Sequence, residues 1–112
     1  MNNLATVSKY FEYFSSQNSE LLGILFSEDA VLCDWNVNVA GKSKVIESIN
    51  AIFDSVSKIE AIPKFYFINS TSLFAIHVEI LINNETKIDV IDVIEFNSEG
   101  KISKVIAFKL DA

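Results

Sequence analysis

Hydrophobic positions in this chain change period near residue 58, and that change divides it into a helical half and a sheet half. Leu4, Val7, Phe11 and Phe14 recur at three- and four-residue spacing, one apolar stripe of a helix from about Asn3 to Ser16. At roughly 100° per residue Tyr10 falls on the border of that stripe, where its hydroxyl can turn inward, and Tyr13 points away. Asn18 and Ser19 resemble a cap for a short helix through about Phe26 that carries Leu21, Leu22, Ile24 and Leu25. Ser27-Glu28-Asp29 breaks it, and a short strand is expected from Ala30 to Trp35. Gly41 to Ser43 opens a third helix, expected to end near Lys58, with Val45, Ile49, Ile52, Phe53 and Val56 inward and Lys44, Glu47, Asp54 and Ser57 in water.

Beyond it the period is two. Strands are expected over about Ile59 to Ile68, Leu73 to Ile82, Lys87 to Phe96 and Lys101 to Leu110. Asn69-Ser70-Thr71, Asn83-Asn84 and Asn97-Ser98-Glu99-Gly100 read as hairpin connections between them. Three helices followed by an antiparallel meander, with the early strand added at an edge, predict an α+β domain with its helices on one sheet face. Pro63 suits an edge strand. The other face carries Leu73, Ala75, Leu81, Ile91 and Val93. A partly apolar sheet face left open most simply means association, here a two-fold homodimer.

The alternation places Asp92 on the same face as Ile88, Val90, Ile94 and Phe96. Burying an unpartnered carboxylate is so unfavourable that the group takes up a proton instead. A neutral acid of that kind donates a hydrogen bond and can stabilise an oxyanion. The plainer role for such a residue is to cap a loop or pair with a lysine. Asp34 alternates with Ala30 and Leu32, so it can face the same interior. Together with Tyr10, the two aspartates would supply a base and two hydrogen-bond donors, which suits moving a proton next to a carbonyl.

Composition narrows the partners. One domain spanning residues 1–112 accommodates the whole chain, and no apolar run approaches the roughly 20 residues that span a bilayer. No basic segment followed by an apolar stretch opens the chain, so the cytoplasm is the expected location. The net charge is −6 and all 9 basic residues are lysines scattered along the chain, which disfavours nucleic acid. Absence of arginine removes the planar fork that grips phosphate or carboxylate. A small, largely apolar ligand fits better. Cys33, the one cysteine, supplies neither a disulfide nor a structural zinc site, and no metal or organic cofactor is implied.

The chain resembles the nuclear transport factor 2-like (NTF2-like) superfamily, in the group of ketosteroid isomerases and SnoaL-like polyketide cyclases. The resemblance rests on the tyrosine-bearing first helix, on Leu25 to Asp34, on Gly41-Lys42 opening a helix, and on Val90 to Ile102. It implies a cone-shaped, cystatin-like fold: three N-terminal helices packed on a curved, mainly antiparallel sheet. In ketosteroid isomerases the matching tyrosine and later aspartate form the oxyanion hole and the earlier aspartate carries the proton. These fall on Tyr10, Asp92 and Asp34. That the oxyanion-hole aspartate stays protonated is a property of ketosteroid isomerases, which the resemblance extends to Asp92 by analogy. Trp35-Asn36 follows Asp34 where the isomerases have proline, a departure that bears on the shape of the base loop.

Two other functions compete with the isomerase. In a non-catalytic binding or dimerisation module, a cavity lined by Phe11, Phe14, Trp35, Phe53 and Phe65 would hold an apolar molecule that the polar groups only orient. A hydratase, dehydratase or cyclase would recruit His77, although Ile76, Val78 and Ile80 mark the opposite face of its strand as the core side. Epoxide hydrolases of the superfamily pair an arginine with two aspartates and are disfavoured.

Overall fold

In the computed structural model, which describes residues 2–110, three helices lie on one face of a six-stranded sheet with strand order β2-β1-β6-β5-β4-β3. Helix α1 runs Asn3–Ser15 and α2 Ser19–Leu25. Asparagine starts both: the Asn2 side chain accepts the Leu4 N–H at 2.9 Å and Asn18 accepts that of Leu21 at 3.0 Å. On α1 the buried stripe is Thr6, Val7, Tyr10 and Phe11, so Tyr10 lies inside the stripe and Leu4 is left exposed.

Strand β1, Phe26–Cys33, begins earlier than the expected Ala30. Phe26 is extended rather than helical and fully buried against Tyr10. Its pairing with the last strand is interrupted between Phe26 and Val31, which leaves Glu28 and Asp29 in water. A three-residue strand, β2 at Asn38–Ala40, pairs antiparallel to β1. It went unseen in the hydrophobic pattern because three residues cannot establish a period. Gly41 then takes φ 99°, which favours glycine, and begins α3, Lys42–Asp54. This helix stops short of the expected Lys58. The Asn83 side chain accepts the N–H groups of Ser57 and Lys58 at 2.9 and 3.0 Å, holding that segment out of the helix.

The meander comprises β3 Ile59–Ser70, β4 Leu73–Ile82, β5 Thr86–Phe96 and β6 Ile102–Lys109. Asn83 and Asn84, at φ 53° and 60°, match the two positive φ values of the type I′ turn that suits a tight hairpin. The early strand β1 adds at the β6 side of the meander, as expected, but it pairs parallel to β6 and β2 takes the sheet edge. Pro63 lies on the opposite edge strand, β3. Beside it, Pro63 pairs with Val78 and Phe65 with His77, so Lys64 is an extra residue. That bulge reverses the parity of β3: Ile59 and Ala61 face the core before it, and Phe65 and Phe67 face outward after it.

The main core forms between the helices and the inner sheet face, with Val7, Leu22, Phe26, Val45, Ile76, Val78, Ile94, Ile102 and Val105 essentially inaccessible. Ser15 fastens α1 to the sheet: its Oγ accepts the Ala61 N–H at 2.9 Å and donates to the Ala61 carbonyl at 3.3 Å. No described helix is long and apolar enough to cross a membrane.

Candidate functional site

A cavity of about 220 Å³ lies between α1, α3 and the inner face of the sheet. Tyr10, Asp34 and Asp92 all line it, brought there from α1, from the turn after β1 and from β5. Most of the remaining wall is aliphatic, with Ile49, Ile52, Ile80, Ile82, Ile88 and Val90 prominent. Shallow depressions of about 520 and 710 Å³ elsewhere on the surface lack both this wall and a cluster of buried acids.

Asp92 lies between Ile76 on β4 and Ala107 on β6 and is 7% exposed. The small Ala107 side chain, also in the wall, leaves room beside the acid. Burial first, and the nearby Asp34 charge second, push the Asp92 carboxyl up to about 7. Below that pH it is a proton donor. The Tyr10 ring sits among Phe11, Phe14 and Phe26, with centroids at 5.2, 6.3 and 6.1 Å. Burial, then the charges of Asp92 and Asp34, drive its hydroxyl far above the ordinary tyrosine value, so it keeps its proton at all ordinary pH. Among the described residues, neither the Tyr10 hydroxyl nor the Asp92 carboxyl makes a side-chain hydrogen bond, and no fully buried side-chain polar atom lacks a partner. Both groups open onto the cavity.

Asp34 is held differently. Its Oδ1 accepts the N–H groups of Asn36 and Val37 at 2.7 and 2.8 Å, while its own N–H donates to the Val37 carbonyl at 2.8 Å. The turn after β1 is therefore folded around one carboxylate oxygen, and the group is positioned whether or not anything is bound. Trp35 and Asn36 form an exposed rim, and the Lys109 Nζ lies 5.9 Å from the Trp35 ring centroid.

The expected aromatic lining is only partly present. Phe14 and Trp35 reach the cavity. Phe53 lies one layer behind, packed edge-on against Phe14 at 5.2 Å, because the α3 positions facing the space are Ile49 and Ile52. Phe11 is likewise core rather than wall. Phe65 is on the other side of the sheet and 65% exposed, since the bulge at Lys64 turned it outward. There it stacks on His77 at 6.3 Å with the rings 7° from parallel. His77 Nε2 is 3.1 Å from Asp89 Oδ1, so the histidine belongs to the outer face and not to the cavity. The aliphatic wall was visible in sequence only as core: alternation gives a side chain's face, not whether an atom or a void lies above it. Among the described residues, no group of three or more His, Cys, Asp or Glu is placed to hold a metal ion.

Comparison with known proteins adds a fold but no sequence family. No family model matches the chain, and no curated protein matches it. Among solved structures, it is similar to a cystatin-like protein of unknown function from Methylobium petroleophilum, with TM-score 0.86, 14% identity, 99% of this chain covered and 77% of that one. A candidate ketosteroid isomerase from Kribbella flavida gives TM-score 0.85 at 15% identity over 99% and 79%. A candidate isomerase of the SnoaL-like family from Agrobacterium tumefaciens gives TM-score 0.83 at 15% identity over 98% of each chain. The chain therefore has the cystatin-like, NTF2-like α+β fold, the architecture of SnoaL-like and ketosteroid isomerase-like proteins.

Proposed function

We propose that the cavity binds a small, largely hydrocarbon carbonyl compound and moves a proton on the carbon next to the carbonyl. The observation that carries this reading is the opening of the buried Tyr10 and Asp92, with the turn-anchored carboxylate of Asp34, onto a single aliphatic cavity. In the proposed reaction Asp34 accepts the proton through Oδ2. Tyr10 and Asp92 donate hydrogen bonds to the carbonyl oxygen as charge develops on it, and Asp34 then returns the proton to the same or another carbon. Burial helps the donors twice. It raises the Asp92 carboxyl to about 7, so that the group is protonated below that pH, and it strengthens each hydrogen bond by excluding water. No step calls for a metal or cofactor.

One observation favours a second reading, a binding module without turnover. Asp34 Oδ1 is already committed to two backbone N–H groups, a role sufficient to explain an aspartate at this position as the keystone of the rim. In either reading, a second copy of the chain covers the outer sheet face, where Phe65, Phe67 and Phe108 stand exposed.

Hydrogen–deuterium exchange next to the carbonyl of β-tetralone, followed by NMR, separates the two. The isomerase reading expects exchange faster than in buffer, lost in Asp34→Asn and reduced in Tyr10→Phe and Asp92→Asn. Saturable binding with no accelerated exchange in the wild type would leave the binding module.

A further inference from the structure

The shape and lining of the cavity restrict the ligand more narrowly than its chemistry does. Along the inner face of β5, Ile94, Asp92 and Val90 are buried and Ile88 is half-buried. Asp92 and Tyr10 are therefore at the floor, and Ile82, Ile88 and exposed Trp35 are towards the mouth. Ile88 is four residues from Asp92 on the strand, about 13 Å at ~3.3 Å per residue. Neighbouring strands continue the aliphatic wall at this end, Ile80 beside Ile88 and Ile59 beside Ile82. For scale, an apolar cavity of about 150 Å³ in another protein takes one benzene ring. On that scale a volume of 220 Å³ encloses roughly nine non-hydrogen atoms.

Charge is restricted as well. The wall contains no lysine or histidine, and it contains Asp34, so an anion inside the cavity would face a carboxylate with no cation beside it, Lys109 lying outside at the Trp35 rim. The floor groups, by contrast, match one uncharged oxygen: two donors for its lone pairs, and Asp34 to accept an O–H or an acidic C–H.

We infer that the natural ligand is an uncharged ketone or phenol of one or two rings, with its oxygen at the floor between Tyr10 and Asp92 and no anionic substituent inside the cavity. This rests on the pocket reading above and adds size and charge to it. Rings beyond the second would project past Ile82 and Ile88 to the mouth and gain little from burial.

Calorimetric titration at pH 6, with the fluorescence of the single tryptophan, Trp35, as a local reporter, tests this with four probes: β-naphthol, naphthalene, β-naphthoate and equilenin. Equilenin is a four-ring phenol that contains the naphthol unit. β-Naphthol is expected to bind one to one and at least tenfold tighter than either naphthalene or β-naphthoate, and equilenin no tighter than β-naphthol. Ile88→Ala, which widens the mouth end, is expected to improve equilenin severalfold and β-naphthol little. If that variant does not fold, the wild-type series still decides. Equilenin binding tenfold or more tighter than β-naphthol would overturn the size limit and leave the pocket standing, and β-naphthoate matching β-naphthol would overturn the charge limit. No heat and no Trp35 response with any probe would overturn the pocket reading together with this inference.

Discussion

Asp89 and Asp92 lie three residues apart on β5 and have opposite circumstances. Asp92 faces inward, nearly sealed, with no side-chain partner among the described residues, and burial lifts its carboxyl to about 7. Asp89 faces outward with its side chain 40% exposed, and it meets His77 at 3.1 Å. Odd spacing on a strand is enough to separate them. The same contrast runs across the whole sheet: inside, a nearly charge-free wall surrounds an unpaired acid; outside, phenylalanines stand among ion pairs such as Lys64–Glu79 and Lys104–Glu95. The outer polar groups satisfy one another. Tyr10 and Asp92 inside have no side-chain hydrogen bond among the described residues and open onto the cavity, and that difference is the physical basis for the proposed function.

The sharpest test of the contrast is chemical. Asp34→Asn is expected to lower deuterium exchange into β-tetralone by about 10²- to 10⁴-fold, the usual span for removing a general base. Asp89→Asn is expected to leave the rate unchanged. Equal losses in the two variants would erase the distinction between the faces.

Next in size is packing, compared at neighbouring residues of β4. Ile76 is fully buried and His77 is not. Ile76→Ala is expected to destabilise the fold by about 2–5 kcal/mol in urea unfolding, whereas His77→Ala forfeits one partly exposed pair and should lose less than about 1 kcal/mol.

Asp92 also makes stability depend on pH in a stated direction. The unfolded carboxyl titrates near 3.8 and the folded one near 7. Between those values the folded state holds the extra proton, so stability falls as pH rises through the window and levels off above it. At roughly 1.4 kcal/mol per unit the fall is at most ~4 kcal/mol. Asp92→Asn lacks it and should be more stable than wild type at pH 8 by about 1–3 kcal/mol, the gain shrinking towards pH 4. A thermal melting series across pH reads this directly. A pH-independent difference would mean that burial does not set the acid.

The smallest effect concerns the outer face alone. Phe65→Ser with Phe67→Ser is expected to halve the mass seen in light scattering while altering β-naphthol affinity less than twofold. A wild-type monomer would remove the proposed second copy without touching the inner site.

Legibility in the sequence followed the same division. Alternation places Asp92 correctly because β4, β5 and β6 pair without interruption around it. It misplaces Phe65 because a single bulged residue, Lys64, reverses the parity; Pro63 beside it suits a bulge as well as an edge strand, and only the edge was read from it. Helical spacing brings Tyr10 to the border of its stripe; the stripe that is actually buried runs through Thr6, Val7, Tyr10 and Phe11, which puts it inside. Phe53 satisfies every sequence criterion for lining a cavity yet stands behind Phe14, since depth within a core depends on the packing of neighbours that are distant in sequence. The hydrogen bonds that anchor Asp34 follow from Asp34 beginning a tight turn, a role aspartate commonly takes; the departure at Trp35-Asn36 marks the loop as different in shape but does not specify the rim that these two residues form.

If Asp92 is a buried acid whose proton is governed by the cavity and by Asp34, carbon-13 NMR titration of the aspartate carboxyls reads it in wild type and in Asp34→Asn and Asp92→Asn. One carboxyl is expected to titrate near 7, absent in Asp92→Asn and moved downward in Asp34→Asn, where the neighbouring charge is gone. Every carboxyl titrating in the ordinary range near 4 would contradict it.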